Sequence, residues 1–177
     1  MDMYAVVLYF DEDASSKLNR GIKGISDVSG NRYMLDVEIP PHITIGAFLC
    51  DEPTELLEKV REFAAQVKQF PVRFEKVGAF GTKVLFASPI KDECLASINV
   101  KINELLLGDF APADNENYIP EKWIPHCALA VRLDDEQFQV AKEIQLEFPL
   151  VAQVEKLALA RCNPYKELEI WEFEEMI

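Results

Sequence analysis

Positive charge is scarce in this 177-residue chain: 18 Lys and Arg stand against 31 Asp and Glu, a formal net charge of −13 at pH 7. So acidic a surface repels polyphosphate backbones and anionic membranes, whose binding needs clustered Lys and Arg, and this excludes long nucleic acid and membrane as partners. A small phosphate held in one local pocket stays possible. Only 7 Gly and 10 Pro exclude collagen-like and low-complexity sequence, and a hydrophobic content of 49% excludes disorder. The four cysteines, Cys50, Cys94, Cys127 and Cys162, form no CxxC pair and no tight framework. They read as reduced thiols, and a cytoplasmic location is expected. Two histidines and four scattered cysteines offer no metal-ligand spacing, so neither a metal nor a cofactor is expected. No run approaches the roughly 20 apolar residues of a membrane-spanning helix. The first apolar run ends at Asp11 with no basic segment before it, so no signal peptide is expected.

What is present suits one domain over residues 1–177, since domains run to roughly 100–200 residues and bury about 70% of their unfolded surface at this size. Residues 4–10 are a continuous apolar run that predicts a strand. Leu18, Ile22 and Ile25 then fall at helical spacing. Residues 32–38 alternate through Tyr33, Leu35 and Val37, which predicts a strand leading into 39–45. After it, Asp51 is a candidate cap and Pro53 a first-turn residue for a helix whose apolar stripe is Leu56, Leu57, Val60, Phe63, Ala64 and Val67. Strands are predicted at 72–80 and 83–87, a helix at 91–107, a loop at 108–122, a strand at 123–133, a short helix at 134–145, and strands at 151–162 and 167–173. This intermixture, with hairpin-like pairs, predicts an α+β fold over a doubly wound parallel sheet.

One repeat stands out. Ile39-Pro40-Pro41-His42-Ile43-Thr44-Ile45 and Trp123-Ile124-Pro125-His126-Cys127-Ala128-Leu129 share the pattern apolar, Pro, His, apolar, small, apolar, and they contain both of the chain's histidines. The repeat predicts a bilobal molecule: two pseudo-symmetric lobes, each with an antiparallel-rich sheet and helices outside, around a central cleft. Proline biases the residue before it toward extended backbone, which suits entry into a strand. On a strand, His42 and Thr44 share one face and Ile43 and Ile45 the other; His126 and Ala128 likewise share a face. Any single strand histidine is ordinarily a hydrogen-bonded structural residue. Duplication of both within matched segments points instead to a pair meeting across the cleft. Imidazole titrates near pH 6.5, so such a pair supplies a general base and a general acid, as phosphodiester cleavage requires. A threonine hydroxyl on the same face can hold a non-bridging phosphate oxygen.

On these residues the chain resembles the 2H phosphoesterase superfamily, in particular its RNA 2′,3′-cyclic phosphodiesterase and 2′-5′ RNA ligase-like branch. That family carries two His-x-Thr/Ser motifs, matched here at Pro41-His42-Ile43-Thr44-Ile45 and Pro125-His126-Cys127-Ala128-Leu129. Val77-Gly78-Ala79-Phe80-Gly81 ahead of Val84-Leu85-Phe86, and Tyr118-Ile119-Pro120 with Trp123, extend the match over essentially the whole chain. The resemblance implies His42 and His126 as catalytic acid and base, Thr44 as a phosphate ligand, and a small nucleotide or short RNA end as substrate. A monomer without cofactor is expected. Ala128 departs from the pattern, with a methyl group where the family has a hydroxyl. Losing such a donor can lower a rate by roughly 10²–10³. That departure leaves open a second expectation, a nucleotide-binding or interaction module with weakened chemistry.

Arg32, Lys83, Lys122, Arg132 and Arg161 lie near the predicted cleft strands and are candidate substrate contacts, with Arg161 favoured by its alternation with Leu157 and Leu159. Against this, scattered strand cations are usually solvated. Phe48, Tyr118, Trp123 and Tyr165 are candidates to stack on a base, or simply to pack. Cys127, next to His126, should face the opposite side of its strand and pack in the core.

Overall fold

The computed structural model describes residues 1–176. Among them, eight strands form one sheet, accompanied by five α-helices. Strand β1 (Asp2–Phe10) is apolar on both faces: Tyr4, Val6, Leu8 and Phe10 join the main core with the helices, while Ala5, Val7 and Tyr9 face the other way beside Ala158. Helix α1 (Glu12–Ser29) starts at Asp11, whose carboxylate accepts the Ala14 N–H at 2.9 Å, and ends at Gly30 in the left-handed conformation, φ 75°. Its Leu18, Ile22 and Ile25 form the buried stripe.

Residues 32–38 depart from expectation. They form the short helix α2 (Tyr33–Val37), not a strand. Alternation of Tyr33, Leu35 and Val37 also sets Tyr33 and Val37 one helical turn apart, and five residues are too few to separate the two periods. Strand β2 (His42–Cys50) follows Pro40-Pro41. Helix α3 (Thr54–Ala64) opens with Pro53 as its N-cap and no side-chain capping bond, so Asp51 lies too far upstream to serve. Strands β3 (Phe70–Phe80) and β4 (Val84–Pro89) form a hairpin turning at Gly81, φ 53°, and α4 (Glu93–Leu106) is capped by Asp92.

The predicted loop contains a two-residue strand, β5 (Ala111–Pro112). Strand β6 (Cys127–Ala130) is much shorter than the expected 123–133. Pro125 has no N–H to offer a ladder on one side, and Arg132 turns to φ 57° on the other. Helix α5 (Asp135–Ala141) begins with a capping box of Asp134 and Gln137, and β7 (Leu150–Arg161) and β8 (Lys166–Glu172) follow.

The strand order is β5-β2-β1-β7-β3-β4-β6, with β8 also on β7, and each strand pair is antiparallel. In place of a separate sheet for each half there is one sheet, because the 12-residue β7 is long enough to take two neighbours in succession. Leu150–Val154 pairs with β3, and Lys156–Arg161 pairs with β8, while β1 runs along the other edge from Val154 to Arg161. Although β2 and β6 stand near opposite ends of this order, they pack against each other. The sheet therefore curls, and its two Pro-His segments come together. Among the described residues, no helix is long and apolar enough to cross a membrane.

Candidate active site

Each Pro-His segment builds the same local device. The Nδ1 of His42 lies 2.8 Å from the Pro40 carbonyl oxygen, and the Nδ1 of His126 lies 2.8 Å from that of Ile124, in both cases two residues back. A carbonyl can only accept, so Nδ1 carries the hydrogen, and in the neutral ring the free lone pair sits on Nε2. Strand alternation places the rest. Ile43, Ile45 and Cys127 are fully buried, and Leu129 nearly so, whereas His42, Thr44, His126 and Ala128 are half-buried.

The two histidines line adjoining cavities. One, of about 440 Å³, is walled by His42, Thr44, Tyr33 and Tyr165; the other, of about 500 Å³, by His126, Ala128, Phe80 and Lys122. Asp114 and Tyr118 line both. Aromatic rings fix each imidazole. Tyr9 meets His42 edge-on at 6.4 Å and donates to or accepts from Tyr165 through a hydroxyl–hydroxyl bond, and Tyr165 lies 6.1 Å from His42. Phe80 and Phe86 meet His126 at 5.0 and 5.5 Å, and Tyr118 stacks on it at 6.3 Å. Gly78 is required opposite Phe86: a Cβ there would lie 2.5 Å from the ring.

Burial pushes the His42 imidazole below its usual pKa; the Pro40 bond opposes this, and the charge of His126 adds to it. Burial also lowers His126, with the Ile124 bond and the Asp114 carboxylate working the other way. Both rings are thus mostly neutral near pH 7 until an anion arrives. Burial pushes the Tyr118 and Tyr165 phenols up to about 12, the Cys162 thiol up to about 11 and Cys127 up to about 12, so neither thiol is a nucleophile at neutral pH.

Asp114, Asn115 and Glu116 form a left-handed turn, with φ of 51°, 54° and 62°. Such backbone costs about 1–2 kcal/mol per non-glycine residue, least for Asp and Asn. The turn is held by the Asn117 N–H to Asp114 carbonyl bond at 3.1 Å and by the Glu116–Lys122 ion pair at 2.7 Å.

The remaining sequence candidates are scattered. Arg161 shares the helix-side face with Leu157 and Leu159; its Nε is 3.1 Å from Asp2, and Cys162 lines the cavity in its stead. Arg32 is exposed and its guanidinium is 3.4 Å from Asp36. Lys83 lies 3.9 Å from Asp135, and Arg132 stacks over Tyr33 at 4.3 Å. Phe48 is in the core, and so is Trp123, whose indole N–H donates to the Thr44 carbonyl at 3.0 Å. Cys127 is fully buried and receives the backbone N–H of His42.

Sequence reasoning missed Asn99 and Asn103 on α4. Both are buried, and Asn99 Nδ2 donates to the carbonyls of Ile45 and Tyr118 at 2.9 Å each. Asn103 Nδ2 donates to Asn99 O at 2.9 Å and Tyr118 O at 3.1 Å. Together they tie the first His segment to the loop bearing Asp114 and Tyr118. Two Asn residues four apart on a buried helix stripe were the available signal.

Paired imidazoles on a curled antiparallel sheet, with helices against its other face, make this an α+β protein of the class the sequence resembles. The chain belongs to the 2′-5′ RNA ligase superfamily, whose family model matches residues 19–164. Escherichia coli LigT complexed with 3′-AMP shares the fold at 12% identity, with a TM-score of 0.62 over 98% of this chain and 99% of that one. A crystal structure described as a phosphoesterase gives 10% identity and 0.64 over 99% and 100%. Kluyveromyces marxianus Usb1 with uridine monophosphate gives 12% and 0.53 over 94% and 98%. No curated protein sequence matches this chain.

Proposed function

We propose that this protein is a phosphodiesterase acting on 2′,3′-cyclic phosphate or 2′-5′-linked ends of small nucleotides or short RNA. One observation carries the reading: both histidines spend Nδ1 on a backbone carbonyl and keep Nε2 for adjoining cavities. One neutral Nε2 takes a proton from water as its oxygen attacks phosphorus. The other ring, protonated, gives its proton to the departing ribose 2′- or 3′-oxygen. The Thr44 hydroxyl donates to a non-bridging oxygen. These proton transfers need no metal and no cofactor. Substrate size follows from the net charge of −13, which repels a long polyanion outside the cleft. The complexes of LigT with 3′-AMP and of Usb1 with uridine monophosphate support a nucleotide as ligand. Tyr118 and Lys122 are its nearest candidate contacts. A cytoplasmic monomer completes the reading.

The test is hydrolysis of 2′,3′-cyclic nucleotides and 2′-5′ dinucleotides in EDTA. His42→Ala and His126→Ala should each lower kcat/KM by about 10²–10⁴. Equal rates in wild type and both variants would sink the two-histidine mechanism. Ala128 favours a second reading, a nucleotide-binding module. It predicts nucleotide-induced thermal stabilisation of folded protein without turnover.

A further inference from the structure

We infer that Asp114 makes this site selective for phosphate monoanions, admitting a phosphodiester and disfavouring the phosphomonoester that hydrolysis creates. The inference rests on the phosphodiesterase reading above. Asp114 lines both histidine cavities, and its solvent-exposed carboxylate is near enough to act on the charge of His126, Tyr118 and Cys162, which puts it within reach of a phosphate between the two imidazoles. Among the described residues that carboxylate has no ion-pair or hydrogen-bond partner. The left-handed turn that presents it is an unfavourable backbone choice at non-glycine residues, the kind that persists where a site uses it.

Among the described residues, no cation is paired with this charge. The other titratable groups lining these cavities with Asp114 are Tyr33 from α2, His42 from β2, Tyr118 and Lys122 from its own loop, His126 ahead of β6, and Cys162 and Tyr165 at the β7–β8 turn. The cavity beside His42 has no Lys or Arg in its wall. The one beside His126 has Lys122, whose ammonium is already 2.7 Å from Glu116. The Tyr118 and Tyr165 phenols and the Cys162 thiol are neutral at pH 7, so besides Lys122 positive charge here comes only with protonation of an imidazole.

A phosphodiester carries one negative charge throughout the working pH range. In hydrolysis a water oxygen bonds to phosphorus and the phosphorus–ribose oxygen bond breaks. One water proton goes to the base, the acid protonates the ribose oxygen, and the second water proton stays on the phosphate. The resulting monoester loses that proton with a pKa near 6 and becomes a dianion. One further charge near an unpaired, solvent-exposed carboxylate weakens binding roughly tenfold. Product then leaves on electrostatic grounds, in a site whose one lysine, Lys122, is already paired with Glu116.

The experiment compares affinity for a nucleoside 3′-monophosphate with that for its 3′-methyl phosphodiester, by calorimetry between pH 5 and 8. Histidine titration couples more strongly to the dianion than to the monoanion, so the Asp114 contribution is read as the difference between the wild-type and Asp114→Asn ratios at each pH. In wild type the ratio should move about tenfold toward the diester as pH rises through 6. Asp114→Asn, which tolerates the same left-handed backbone, should flatten this change and tighten the monoester relative to the diester about tenfold at pH 7.5. Asp114→Glu should restore the wild-type ratio. A ratio unchanged by Asp114→Asn, or equal weakening of both ligands, would overturn the assignment. Failure of wild type to hydrolyse cyclic nucleotides would overturn the phosphodiesterase reading instead, and the binding ratio would still decide the role of Asp114.

Discussion

At the residue scale, Ala128 is where the two histidine segments cease to match. Its methyl group lines the His126 cavity at the place where Thr44 presents a hydroxyl beside His42. The space in front of it is open, so a larger side chain needs no repacking. Ala128→Thr should therefore raise kcat/KM on a cyclic nucleotide by roughly tenfold, a fraction of the 10²–10³ that one such donor is worth in a closed site. A fall in rate at unchanged Tm would mean that another group already holds that oxygen. The pairing of His with a small residue two positions on was legible because a strand alternates its faces. The same rule explains where Arg161 went: alternation with Leu157 and Leu159 was read correctly, but it carries Arg161 to the leucine side, away from the cavity. Trp123 is a candidate in the sequence either to stack on a base or to pack, and it packs in the core. Its bond to Thr44, across 79 positions of sequence, depends on β2 packing against β6 and leaves no local pattern.

At the element scale, helix α4 does more than fill the core. The Asn99 and Asn103 amides overlap in what they hold, since both reach the Tyr118 carbonyl. Removing either leaves the other as a partial replacement. Leaving a buried carbonyl unsatisfied costs about 1–3 kcal/mol. Asn99→Ala and Asn103→Ala should each destabilise by about 1–2 kcal/mol, and the double variant by more than their sum, measured as a double-mutant cycle in urea. Strict additivity would show that the two amides work independently. The elements the sequence announced best were strongly periodic, such as α3, α4 and the β3–β4 hairpin. Those it announced poorly, α2 and β6, are short, and their form is set by neighbours: the Asn31 amide bonds to the Val131 and Arg132 carbonyls, linking the start of α2 to the end of β6. No pattern within 32–38 or 123–133 encodes that link.

At the scale of the whole molecule, one curled sheet carries two half-buried imidazoles into a protein of net charge −13. The surrounding negative charge would be expected to raise both pKa values, yet burial lowers them, because the cavity walls are aromatic and apolar. Activity needs one ring neutral and its partner charged. With both pKa values in the free enzyme below 6.5, kcat/KM should follow a bell whose maximum lies below pH 6.5, falling steadily toward pH 8. A cyclic phosphodiester does not titrate in this range, so the limbs belong to the protein. Stability is linked to the same protons. The unfolded histidines take up protons near pH 6.5 and the folded ones only at lower pH, so stability rises with pH across that interval. The contribution is present above pH 6.5 and lost as pH falls toward the folded-state values. Wild type should accordingly lose more stability between pH 7.5 and 5.5 than a His42→Ala, His126→Ala double variant, as measured by urea midpoints at each pH. Identical losses, or a rate maximum above pH 7, would mean that the imidazoles are not held neutral by burial and that the acidic surface governs their charge.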